Sequence, residues 1–161
     1  MRPLRLLAGL LALPTVAIAT SIIPHTLQQR AEQSDRVVLV QVLSQRVEET
    51  PGAQFPLKTY TQVAVGQNLR GAGPEVLTIV QLGGRLGLTS MEIPGYARFH
   101  LGETAVLFLT CRAAADRCHL VALGAGKLDV DGDQVLVPDL FTGKWSRRKV
   151  GELARELAVK P

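Results

Sequence analysis

The sequence predicts a mainly β domain: a small closed or nearly closed barrel of five or six strands, with a short helix near its N-terminus and an amphipathic helix at its C-terminal end. Three observations predict it. Five or six short segments rich in apolar and β-branched residues are separated by glycine and proline turns, two cysteines flank a hairpin-length loop, and helical spacing occurs only at the two ends. Closing the sheet removes strand edges that an exported chain cannot safely leave bare.

Export is read from the first 19 residues. Arg2 and Arg5 precede an uncharged apolar run from Leu6 to Ile18, and Ala17-Ile18-Ala19 is a small-x-small cleavage pattern, so residues 1–19 read as a secretory signal. About 15 apolar residues fall short of the ~20 that a spanning helix needs, which argues against an uncleaved anchor. No cysteine follows the run, so a lipid anchor of the bacterial lipoprotein kind is not expected either. Residues 20–161 then form a single exported domain, periplasmic or extracellular, with no stable membrane insertion. Removing Arg2 and Arg5 from the 18 basic residues leaves 16 against 14 acidic ones, a net charge of +2. Only seven aromatics are present, with no interleaved Lys/Arg stripe, so no nucleic-acid partner is expected.

Thr26 followed three residues later by Gln29 is a capping-box pattern and predicts a short helix over Thr26 to Gln33. Arg36 to Val47 (RVVLVQVLSQRV) reads as a strand buried at its start and alternating later. Lys58 to Leu69 is a second, with Thr59, Thr61, Val63 and Val65 on the face better suited to the core. Glu75 to Leu82 follows, with apolar residues on both faces that predict burial on both sides. Thr104 to Thr110 (TAVLFLT) is apolar throughout its middle and is expected centrally in the sheet. Cys111 and Cys118 sit across the mouth of the next hairpin and read as a disulfide; with His119 they offer too few ligands for a metal site.

Asp131-Gly132-Asp133 between alternating apolar residues is a strong hairpin signal. Asp129, Asp131 and Asp133 also invite a calcium reading, but Leu140 stands where a calcium loop needs its twelfth-position Glu. Ser146 to Lys160 carries Val150, Leu153, Ala154 and Leu157 at helical spacing, with Ser146 as the expected cap. Arg147-Arg148-Lys149, the only basic cluster, reads as a solvated face.

One stretch fits no regular element. Gly83 to Gly102 (GGRLGLTSMEIPGYARFHLG) is either a long functional loop or a shorter one, Gly83 to Ser90, followed by Met91 to Ile93 paired with Ala97 to Phe99 as further barrel strands, with Ile93 and Phe99 in the core. The chain has no G-x-S-x-G elbow, no H-E-x-x-H and no phosphate loop, and His25, His100 and His119 lie far apart in sequence. No catalytic residue, metal ligand or cofactor is therefore assigned.

Pro24-His25 with Ser34 to Val42 (SDRVVLVQV), then Asn68-Leu69-Arg70-Gly71, then Gly102 to Leu109 (GETAVLFL), resembles in order and spacing the netrin-module and tissue-inhibitor-of-metalloproteinases families, over roughly residues 24–110. The layout is also similar to exported bacterial proteins of about this length. The resemblance implies an OB-like five-stranded barrel and a protein-binding role, with a metalloproteinase among the partners. One departure is decisive. Those inhibitors chelate the target's zinc through an N-terminal cysteine, and Thr20 to Pro24 holds none, so that mechanism does not carry over. The expected function is an exported, non-catalytic binding or inhibitor-like module for another exported protein. Its expected contact residues are Thr20, Ser21, Gly83, Gly84, Arg85, Leu86 and Tyr96. A structural or envelope component is the alternative, and a hydrolase built from the three histidines the third.

Overall fold

A computed structural model gives the fold and describes residues 25–111 and 116–158. The leader, Thr20, Ser21 and most of the loop between the cysteines lie outside the described residues.

Local signals act where they were expected. The Thr26 Oγ1 accepts from the Gln29 N–H at 3.1 Å and the Gln29 side chain accepts from the Thr26 N–H at 2.9 Å, so the capping box starts helix α1, Leu27–Glu32. β1 (Arg36–Glu49) and β2 (Leu57–Arg70) are 14 residues each and pair antiparallel along their whole length. β3 (Val76–Leu82) pairs with β2. After the short hairpin of β4 (Gly84–Leu86) and β5 (Thr89–Met91) come β6 (Thr104–Cys111) and β7 (Arg117–Leu120).

These strands close into a five-stranded OB-like barrel in the order β1, β2, β3, β7, β6 and back to β1. The β3–β7 contact is parallel and spans only Thr78↔Arg117 and Ile79↔Cys118, yet it completes the ring. Three register shifts along β1 let one strand pair with both neighbours, because each bulge bends it further round. From β6 the sheet continues through β8 (Lys127–Asp131), β9 (Gln134–Pro138) and β10 (Trp145–Lys149), and the chain ends in α2 (Val150–Ala158).

β6 organises the interior. One edge pairs with β1 over residues 104–109; the other is shared by β8 near its start and β7 near its end. Its alternate side chains enter two different cores. Ala105, Leu107 and Leu109 fill the barrel with Val38, Val40, Val63, Leu77 and Ile79. Val106 and Phe108 point the other way, onto Val37, Leu128, Val135, Leu153 and Leu157. Leu153 and Leu157 of the helical stripe and Ala31 of α1 are thus core, with Val150, Ala154 and Leu27 half-buried against it.

Four expectations need correction. β3 is not buried on both sides: Leu77, Ile79 and Gln81 face inward, whereas on the outer face Val76 is exposed and Thr78 and Val80 are only half-buried. The C-terminal helix begins at Val150, not at Ser146, since Trp145 to Lys149 pairs with β9; the Glu152 carboxylate, not Ser146, accepts from the Lys149 N–H at the helix start. Met91 to Ile93 and Ala97 to Phe99 do not pair as barrel strands. Pro94 has no N–H to donate and Gly95 turns left-handed at φ +86°, so the chain there turns instead of extending, although Phe99 does reach the core while Ile93 is only half-buried. Nor is residues 83–102 one structureless loop, because β4 and β5 pair within it.

Cys111 and Cys118 are cross-strand partners joined by a disulfide. The bond clips β7 to β6 next to the weak parallel closure. Reduction with the cysteines then blocked is expected to cost on the order of 2 to 3 kcal/mol by the loop-entropy model, read as a lower urea midpoint. An unchanged midpoint would show that the closure holds without the clip.

Candidate binding face

The end of the barrel beyond β3 is shaped by two glycines. A Cβ on Gly83 would stand 2.6 Å from the Met91 carbonyl oxygen, and one on Gly84 would stand 2.6 Å from the Thr59 Oγ1 and 2.9 Å from both Val47 methyls. Only glycine lets β4 lie this close to β1 and β2. The Thr59 hydroxyl donates to the Gly83 carbonyl at 2.7 Å and the Gly83 N–H donates to Leu57 at 2.8 Å, which pins the base of the β4–β5 hairpin. Its tip carries Leu86, 42% exposed, and Leu88, fully exposed.

The segment 93–100 is fixed separately. The buried Gln81 side chain donates to the Ala97 carbonyl at 3.0 Å, the Gly124 N–H donates to Gly95 at 2.7 Å, and Phe99 plugs the barrel end. Gly124 belongs to a 3-10 turn, Leu123–Gly126, entered through Ala122 and Leu123 in left-handed conformation at φ +52° and +53°.

A cleft lies on each side of this segment. The first, about 850 Å³, runs between the segment and the β4–β5 hairpin. Gly83, Gly84, Arg85, Leu86 and Tyr96, separated by up to 13 positions in sequence, all line it. The second, about 760 Å³, lies between the segment, the β8–β9 hairpin and Trp145. Tyr96, Ala97, Arg98 and His100 line both.

The second cleft escaped the sequence reading. Apolar walls come from Val130, Leu136, Pro138 and Leu140, and among its polar groups the most buried cation is Lys127, whose Nζ lies 2.6 Å from Asp129, 3.2 Å from Glu103 and 5.6 Å from the Phe99 ring centroid. Two carboxylates around one largely buried ammonium leave the cluster net negative. Glu103 reaches Lys127 only because β6 pairs with β8. The one available signal was Trp145, the chain's single tryptophan, which stays 67% exposed.

Trp145 is positioned by the turn before β10. The Asp139 carboxylate accepts from the Phe141 N–H at 2.9 Å and the Thr142 N–H at 3.1 Å, and those bonds hold its pKa below the usual carboxylate range. A depressed folded pKa means that the turn's stabilisation is complete above the unfolded value, near pH 4, and is lost as pH falls below it. Trp145 emission is expected to change reversibly below about pH 4, and Asp139→Asn to remove that step. A step that persists in the variant would assign it elsewhere.

The histidines do not converge on either cleft. His119 Nδ1 lies 3.1 Å from the Val80 carbonyl oxygen on the barrel wall, and His100 alone of the three lines a cleft. Among the described residues no group of three His, Cys, Asp or Glu side chains is placed to hold a metal ion, and Asp131-Gly132-Asp133 forms the β8–β9 hairpin, with Gly132 at φ +61°. Among the same residues no helix is long and apolar enough to cross a membrane.

Comparison of the chain with family models, with curated proteins and with solved structures returns no match.

Proposed function

We propose that this protein is an exported, non-catalytic binding module of inhibitor-like kind, which holds another exported protein through the β4–β5 hairpin and the cleft beside it. One observation carries the reading. The hairpin presents Leu86 and Leu88 to solvent from a base fixed by Gly83, Gly84 and Thr59, so its apolar tip is held in place before any partner arrives. A preorganised apolar projection loses little conformational entropy on binding. Arg85, exposed beside it, adds a guanidinium suited to a hot spot. Export is supported by the disulfide, a bond that persists in oxidising compartments. The netrin-like motifs favour a metalloproteinase partner, though not through zinc chelation.

The test is capture with the mature, disulfide-intact protein from its host's exported fraction, followed by affinity measurement on the bound protein. The Arg85→Ala, Leu86→Ala double variant is expected to weaken that affinity by about tenfold or more. Unchanged affinity would overturn the assigned surface. An empty capture by a folded monomer would favour the structural or envelope role.

A further inference from the structure

Among the described residues the sheet ends on β10, which pairs with β9 on one side and with no strand on the other. Trp145, Arg147 and Lys149 alternate along β10, so they share one of its faces, and all three are exposed. Arg148, on the other face, is held by Glu156 of α2. Among the described residues no carboxylate forms an ion pair with Arg147 or Lys149. Trp145, at the start of the strand, is also a wall of the second cleft, beside Leu136, Pro138 and Leu140.

We propose that β10 takes an extended acidic segment of a partner protein as an added strand, with one apolar side chain of that segment seated in the cleft beside Trp145. The main chain of the edge supplies the hydrogen bonds, and the alternation of side chains supplies the selection. In antiparallel addition, residues of the segment meet Lys149, Arg147 and Trp145 at every second position. The complementary order is therefore acidic, any, acidic, any, apolar. A second copy of this chain is a poor occupant, because two antiparallel β10 edges bring cationic side chains together, which disfavours self-pairing. This surface is separate from the β4–β5 hairpin, so its test stands whatever the outcome there.

The single tryptophan makes the test direct. The full chain is titrated with a capped peptide, Glu-Thr-Glu-Thr-Phe-Thr, while Trp145 emission is followed. Controls are the same peptide with Lys for Glu, and one N-methylated at alternate amides. A saturable shift with the acidic peptide is expected, and none with either control. The Arg147→Glu, Lys149→Glu double variant is expected to weaken the acidic peptide by at least about tenfold and to gain binding of the lysine peptide. Both positions are exposed, so the variant should keep its fold, which far-UV circular dichroism checks. No saturable shift up to about 1 mM peptide would overturn the proposal. So would equal binding of the N-methylated peptide, or a concentration-dependent dimer, seen by sedimentation, that accounts for the shift.

Discussion

Replacing Phe108 with alanine is expected to destabilise the whole molecule by about 3 to 5 kcal/mol, a large share of the stability of a domain this size. The ring is completely buried on β6, facing away from the barrel and onto Val37, Leu153 and Leu157. Leu107, its neighbour on the same strand, faces the other core, and Leu107→Ala is expected to cost about 2 to 5 kcal/mol. The sharper expectation concerns cooperativity. Because one strand lines both cores, either substitution should lower a single transition in urea, with near- and far-UV circular dichroism coincident. If Phe108→Ala melts the helices and the β8–β10 sheet while the barrel persists, the chain is two cooperative units and the one-domain reading fails.

The second large effect is at Arg30. Its side chain is 1% exposed, its guanidinium donates to the Ala125 carbonyl, 95 positions away, and lies over the Phe108 ring at 5.4 Å. Among the described residues no carboxylate pairs with it, and burial holds its pKa below the ordinary guanidinium value, so the charge is disfavoured in the fold. Packing and hydrogen bonding must offset that cost. Arg30→Ala removes both and strands the Ala125 carbonyl, an expected loss of about 3 to 5 kcal/mol. Arg30→Met keeps most of the buried stem and discards the charge but strands the same carbonyl, with a smaller expected loss of about 1 to 3 kcal/mol. Equal losses in the two variants would show that the hydrogen bonds, not the packed stem, hold α1 to the 3-10 turn.

Much of the chain was legible because its signals are local. A capping box needs only Thr26 and Gln29, Asp131-Gly132 makes its own turn, and Val150, Leu153, Ala154 and Leu157 mark a buried stripe within three turns. Five of the expected contact residues, Gly83, Gly84, Arg85, Leu86 and Tyr96, line one cleft, and they were singled out by the length and glycine content of their stretch together with the netrin-like layout. The second cleft was not legible. Glu103 and Lys127 are unremarkable apart, and nothing near either residue says that β6 will lie beside β8. β10 was read as helix because Trp145 to Lys149 has no alternating apolar pattern of its own; its strand character comes from β9, whose register it follows.

Taken alone, the sequence determined the class of fold, the long strands β1, β2, β3 and β6, the helical stripe at the C-terminal end, the disulfide pair and the absence of any recognisable catalytic motif, all properties set by residues within a few positions of one another. Tertiary structure decided that the barrel closes through two residue pairs between β3 and β7, that β6 serves two cores, and that two clefts flank one pinned segment. The physical reason is the reach of the interactions. Helix caps and turns are stabilised by neighbours along the chain, whereas strand partners and clefts are selected by which distant surfaces bury the most apolar area together once the ring has closed.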